Sequence, residues 1–122
     1  MPLPVSEPVA RFSLPVPPSA NALFTYRAGS RQRIKTDAYR AWITEAGWGV
    51  ARSGALSDRR KRVRVEIDLP FDRRRDIDNG IKPVLDLLVR HSIVKDDRWV
   101  DELVVRRRAK GEPVVVTVWQ LT

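Results

Sequence analysis

The 122-residue sequence contains no cysteine, which excludes disulfide frameworks, thiolate zinc sites and cysteine nucleophiles. Its one histidine, His91, leaves no basis for histidine-centred catalysis or a histidine-rich metal site. No apolar run is longer than three residues, too short for a transmembrane helix or a signal-peptide core. The expectation is a soluble cytoplasmic protein with no membrane partner and no small-molecule cofactor. Acidic charge is also in short supply. Lys and Arg number 23 against 15 Asp and Glu, a net charge of +8. That balance favours a polyanionic partner, nucleic acid before an acidic membrane surface. The length suits one domain, and 43% hydrophobic content suffices for one core.

The few acids are concentrated. Residues 76–102 hold Asp76, Asp78, Asp86, Asp96, Asp97, Asp101 and Glu102 against Lys82, Arg90, Lys95 and Arg98. This island has a net charge of −3, and the remainder of the chain carries +11. Clustered carboxylates oppose polyanion binding unless something offsets them, and a divalent cation is the natural candidate.

The element pattern predicts a small α/β (α+β) domain with a mixed sheet and two main helices. Residues 1–8 read as a flexible, proline-rich extension. Ala10, Phe12, Leu14 and Val16 alternate as one strand, ended by Pro17-Pro18. Residues 19–35 read as a basic loop carrying Arg31, Arg33 and Lys35. From Thr36, a helix N-cap, the apolar spacing Tyr39, Trp42, Ile43, Ala46, Val50 is helical, and Ser53-Gly54 ends it. Val63, Val65, Ile67 and Leu69 alternate with charges as the cleanest strand. A second helix is expected from about Asp78 to Arg90; Pro83 requires it to start at Asn79 or later, or to kink. A strand pair, about 100–108 and 114–121, turns through Lys110-Gly111-Glu112-Pro113.

The chemistry centres on Asp76-Ile77-Asp78-Asn79 at a loop-to-helix junction. Residues two apart in an extended segment point the same way, so Asp76 and Asp78 can converge. Lys82 and Asp86 follow at four-residue intervals from Asp78, sharing one helical stripe. Asp96-Asp97 returns toward the start of that helix. Carboxylates without imidazole or thiolate are hard oxygen ligands, suited to Mg²⁺ or Mn²⁺. In a basic protein such a set suits phosphodiester hydrolysis, with a lysine adding electrostatic stabilisation. Each residue also has a plain structural reading: Asp78 or Asn79 as an N-cap, Lys82 and Asp86 as an exposed pair, Asp96-Asp97 as turn residues.

Arg75-Asp76-Ile77-Asp78-Asn79, Lys82, Leu85-Asp86-Leu87-Leu88 and Asp96-Asp97 together resemble the RusA-type Holliday junction resolvases, often carried by prophages. Pro17-Pro18-Ser19-Ala20-Asn21 and Tyr39-Arg40-Ala41-Trp42 resemble the N-terminal half of that family. The resemblance covers roughly residues 12–108. It implies that Asp76, Asp78 and Asp97 are the metal-binding catalytic carboxylates and Lys82 the catalytic lysine. Asp86, Asp96 and Asn79 would be supporting positions, Asp96 replacing Asp97 if the register slips by one. Pro83 departs from the family pattern. The resemblance further implies a homodimer that nicks branched DNA symmetrically.

For DNA contact the sequence offers Arg59, Arg60, Lys61, Arg62 and Arg64, then Arg73, Arg74 and Arg75, eight bases within 17 residues. Arg106, Arg107, Arg108 and Lys110 form a further group, with strand parity sending Arg107 to the face opposite Arg106 and Arg108. The bland alternative is a solvated basic face. Phe71 reads as a wedge between bases or as a plug at the core edge. Trp42, Trp48, Trp99 and Trp119 read as core or dimer-interface residues, and His91 as a helix-terminal cap partner. Val114 to Trp119 is apolar on both parities, fitting burial against a second subunit or a central strand covered on both faces. Two rival functions remain: a non-catalytic DNA- or RNA-binding module, and a basic structural protein of the ribosomal type. A pure binder gains nothing from clustered aspartates, and the second rival predicts charge without an acidic island.

Overall fold

A computed structural model describes residues 7–54 and 61–121. The expected N-terminal extension falls largely outside that range, and Arg59 and Arg60 lie wholly outside it. Strand β1 (Ala10–Leu14) leads through a 3-10 turn at Ala20–Ala22 to a small hairpin, β2 (Phe24–Tyr26) and β3 (Arg33–Lys35). Helix α1 (Asp37–Arg52), strand β4 (Val63–Pro70) and helix α2 (Ile81–Arg90) follow. A 3-10 turn at Asp97–Trp99 then feeds β5 (Val100–Arg108), and β6 (Val114–Gln120) comes last.

The main sheet is mixed, in the order β1-β6-β4-β5. β6 runs antiparallel to both β1 and β4, whereas β5 runs parallel to β4. A parallel pair needs a crossover, and α2 supplies it. Val63, Val65, Ile67 and Leu69 of β4 are buried on the same face as Val114, Val116 and Val118 of β6 and Ala10, Phe12 and Leu14 of β1. Tyr39, Trp42, Ala46 and Val50 of α1, with Val84, Leu87 and Leu88 of α2, close over that face. Each such aliphatic side chain contributes about 1.5–3 kcal/mol by leaving water.

Local chemistry sets the ends of these elements. The Thr36 hydroxyl accepts the Tyr39 N–H at 3.2 Å, capping α1 as expected. α1 lies so close to β1 that a Cβ on Gly49 would sit 2.9 Å from the Ser13 carbonyl oxygen. β1 stops at Leu14 and does not reach Val16, because Pro15 has no N–H for the ladder. α2 begins at Ile81, later than Asp78. Its N-cap, Gly80, is left-handed at φ 106°. Pro83 therefore falls in the first turn, where its missing N–H has no helical acceptor to lose.

Two further expectations are corrected. β5 and β6 are not a hairpin, since β4 lies between them. The strand richest in buried apolar residues takes the centre, and the arginine-rich β5 takes an edge, where charge suppresses further pairing. Residues 24–35, expected as loop, contain the β2–β3 hairpin. Its three-residue strands bury too little to write an alternating pattern.

β6 is a central strand, yet the sheet face opposite the helices is only partly covered. Thr117 is buried there while Val115 and Trp119 are half-buried. Trp42 is in the core, its indole N–H donating to the Pro15 carbonyl at 2.8 Å. Trp48 is 64% exposed and is not a core residue. Trp99 and Trp119 lie near the guanidinium groups of Arg62 and Arg64. His91 is the C-cap of α2, its backbone N–H meeting the Leu87 carbonyl.

Candidate active site

The loop from Phe71 to Gly80 leaves the end of β4 and turns back into α2, and three long-range contacts fix its course. The Arg75 guanidinium donates to the Pro17 carbonyl at 2.9 Å. Arg107, from β5, donates to the Arg75 carbonyl at 2.7 Å. The Asn79 side-chain oxygen accepts the Ala20 N–H at 2.9 Å. Inside the loop, Asp72 accepts the Arg74 N–H at 2.9 Å, which holds its carboxyl below the usual carboxylate range despite some opposing desolvation. Backbone turns from Asp76 to Asn79 and from Asp78 to Ile81 complete the junction.

This scaffold leaves Asp76 and Asp78 exposed. Among the described residues no side-chain hydrogen bond or ion pair reaches either carboxylate. Since Asp78 precedes the helix, the stripe expected from the sequence contains Lys82 and Asp86 alone. Asn79 is a tie to the N-terminal strap, the segment 15–23 between β1 and β2, and neither it nor Asp78 is the N-cap.

Lys82 sits in the first turn of α2, a turn with no acid. The positive end of the helix dipole opposes an ammonium there, by about 0.3–1 kcal/mol for an exposed group. Two carboxylates offset it. Lys82 Nζ lies 2.6 Å from Asp97 Oδ2 and 3.0 Å from Asp86 Oδ1. Hydrogen bonds to Asp97 first and Asp86 second raise the lysine's pKa well above its ordinary value, favouring the ammonium form. Asp96 plays another part: it caps the 3-10 turn, accepting the Arg98 N–H at 3.0 Å, and that bond lowers its pKa.

The site opens onto two clefts. One is lined by Lys35, Tyr39, Pro83, Asp86, Asp96 and Asp97 among others. The larger is lined by Phe71, Arg73, Arg74, Asp76, Arg107 and Lys110, with the Pro17 strap along one side. Phe71 is 47% exposed at its rim, outside the core cluster, with the Arg107 guanidinium 5.8 Å from its ring centre. Arg107 and Lys110, from the further basic group noted in the sequence, thus join the basic wall beside Asp76. The alternation of β5 was the available signal for Arg107. Arg106 and Arg108 project to the opposite face, both onto Asp68.

The remaining basic residues divide by how free they are. Arg73 and Lys61 are exposed, and Arg74 is exposed beside Asp72. Arg75 is a half-buried strut. Arg62 is tied to Asp101 and to the Arg98 carbonyl. On the hairpin, Arg33 stacks over Phe24 at 3.9 Å, Arg31 is exposed in the turn, and Lys35 faces the cleft holding Asp97.

The donor chemistry suits a hard divalent cation, being carboxylate oxygen throughout. The arrangement does not yet gather it: among the described residues no three acidic or histidine side chains converge on one point. Asp97 is occupied by Lys82 instead.

A loop bearing two unpaired aspartates, a lysine on the following helix and a third aspartate beyond it can be compared with known proteins. The family described as endodeoxyribonuclease RusA matches residues 15–118. The chain belongs to the RusA family. It is 35% identical over 105 residues to a crossover junction endodeoxyribonuclease RusA of Enterobacteria phage HK97, covering 82% of this chain and 83% of that relative. The RusA match includes the strap, the aspartate loop, α2 and Asp97, so the nuclease family assignment spans every part of the site.

Proposed function

We propose that this RusA-family protein resolves four-way DNA junctions, using a divalent cation and acting as a homodimer. The observation that carries the proposal is two carboxylates without a partner among the described residues: Asp76, which lines a cleft with Arg73, Arg74, Arg107 and Lys110, and Asp78, exposed two residues further along the same loop. In a chain with a net charge of +8, exposed acids beside that wall weaken DNA binding unless they do chemistry. The phage relative's name, crossover junction endodeoxyribonuclease, supplies the substrate class.

Mg²⁺, with Mn²⁺ as a substitute, held by Asp76, Asp78 and Asp97, would supply Lewis-acid neutralisation of charge on the scissile phosphate. The protein's own residues do the rest. Arg73, Arg74, Arg107 and Lys110 hold the phosphate backbone along one cleft, while Arg31, Arg33 and Lys35 flank the other. Phe71 at the rim wedges against a base step at the junction. Lys82 brings a permanent positive charge to where negative charge develops in the transition state.

Resolution needs two nicks placed about the junction centre, and a two-fold dimer supplies two sites with that symmetry. The half-covered sheet face bearing Val115 and Trp119 provides apolar area for such an interface. A supercoiled plasmid extruding a cruciform tests the whole reading. Paired nicks give linear product, whereas nicked circles alone from a 14 kDa species in light scattering would reject the dimer. No cleavage beside intact junction binding would favour the non-catalytic module.

A further inference from the structure

Lys82 is held by two carboxylates of unequal position. Asp97 lies in the 3-10 turn beyond α2, and its carboxylate is one of the three assigned above to the cation. Asp86 lies one turn along α2 itself, 3.0 Å from the ammonium. Helix geometry fixes the Lys82–Asp86 spacing whatever Asp97 does. The ammonium has three donors, so it serves both acids at once and keeps one when the other withdraws. Both pairs are solvent-facing, with Lys82 66% exposed. Exposed ion pairs are weak, and exchanging one alters an affinity by no more than about fivefold.

We propose that Asp86 is the positioning residue for Lys82: it retains the ammonium at the site while Asp97 passes from Lys82 to the divalent cation. The inference rests on the metal reading above and accounts for one feature that opposes it, the occupied Asp97. Without Asp86, Asp97 is the only carboxylate holding Lys82 among the described residues. A cation would then have to break the last ion pair, and the freed ammonium would be driven outward by the N-terminal end of α2.

The test is Mn²⁺ binding to the DNA-free full chain, followed by the electron paramagnetic resonance of free Mn²⁺. Asp86→Asn is expected to weaken Mn²⁺ binding about two- to fivefold, the worth of one exposed pair. Asp86→Glu, which keeps a charge at the i+4 position, restores it. In a Lys82→Ala background, Asp86→Asn is expected to change nothing further, because the group it retains is gone. On junction DNA at saturating Mg²⁺, Asp86→Asn lowers kcat with KM unchanged. An Asp86→Asn effect of the same size with and without Lys82 would overturn the inference, since Asp86 would then act on the cation through its own charge. So would wild-type Mn²⁺ binding and kcat in Asp86→Asn. If wild type shows no Mn²⁺ binding that Asp97→Asn removes, the metal reading fails and this inference with it.

Discussion

The side-chain oxygen of Asn79 accepts the backbone N–H of Ala20, joining the aspartate loop to a strap 59 residues away in sequence. The bond lies three residues from Asp76 and one from Asp78, so it helps hold the stretch of backbone that carries both carboxylates. Asn79→Ala is expected to cost about 0.5–1.5 kcal/mol in urea unfolding. It should also depress kcat more than junction affinity. Unchanged turnover in a destabilised protein would limit Asn79 to a role in folding.

Gly80 is the hinge between that loop and α2. Its φ of 106° is poorly accessible to other residues, and a Cβ there would meet Pro17 Cγ at 3.2 Å. Gly80→Ala is expected to destabilise by about 1–3 kcal/mol, since both strain and strap contact oppose it. Thermal unfolding of the variant measures this, and a shift within error would show that the strap yields freely.

Arg106 and Arg107 are neighbours with opposite duties. Arg107→Ala removes a cleft cation and the tie to the Arg75 carbonyl, so junction binding should weaken and its salt slope fall by about one. Arg106→Ala strips the cover from Glu66 and Asp68 on the other face, so stability should fall while the salt slope stays. Equal effects of the two substitutions on binding would contradict the face assignment.

Glu66 gives that outer network a pH signature. Burial pushes its pKa up, but hydrogen bonds from Arg64 and Arg106 outweigh burial and leave it below the usual value. A depressed carboxylate contributes stability above its unfolded pKa of about 4.3 and loses it as pH falls through the folded value. Glu66→Gln should therefore be less stable than wild type at neutral pH, with the difference shrinking as pH falls below the unfolded value and vanishing only below the depressed folded one. A pH-independent difference would mean that packing, and not charge, holds Glu66.

Much of this was legible in the sequence because the responsible physics is local. The alternation of Val63 to Leu69 marks β4, and Thr36 with its helical apolar spacing marks α1. The four-residue interval from Lys82 to Asp86 placed them in contact, and the parity of β5 sent Arg107 away from Arg106. What was not legible depends on choices made across the fold. Nothing near Lys110 says that β4 will slip between β5 and β6. The β2–β3 hairpin buries none of its strand residues fully and writes no pattern. At the site, the aspartate spacing suggested convergence, but the pairing of Asp97 with Lys82 is a tertiary contact across 15 residues.

Asp78→Asn bears on the carboxylates directly. Losing a charge that faces phosphate should leave junction binding intact or tighter while cleavage disappears. Parallel loss of both would make Asp78 a structural residue.

The most direct measurement is cleavage of an end-labelled four-way junction by wild type, with Mg²⁺ and with chelator. The account predicts symmetric nicks in opposite strands with Mg²⁺, and binding without cleavage in chelator. Cleavage that persists in chelator, or a junction bound but uncut at saturating Mg²⁺, would contradict it.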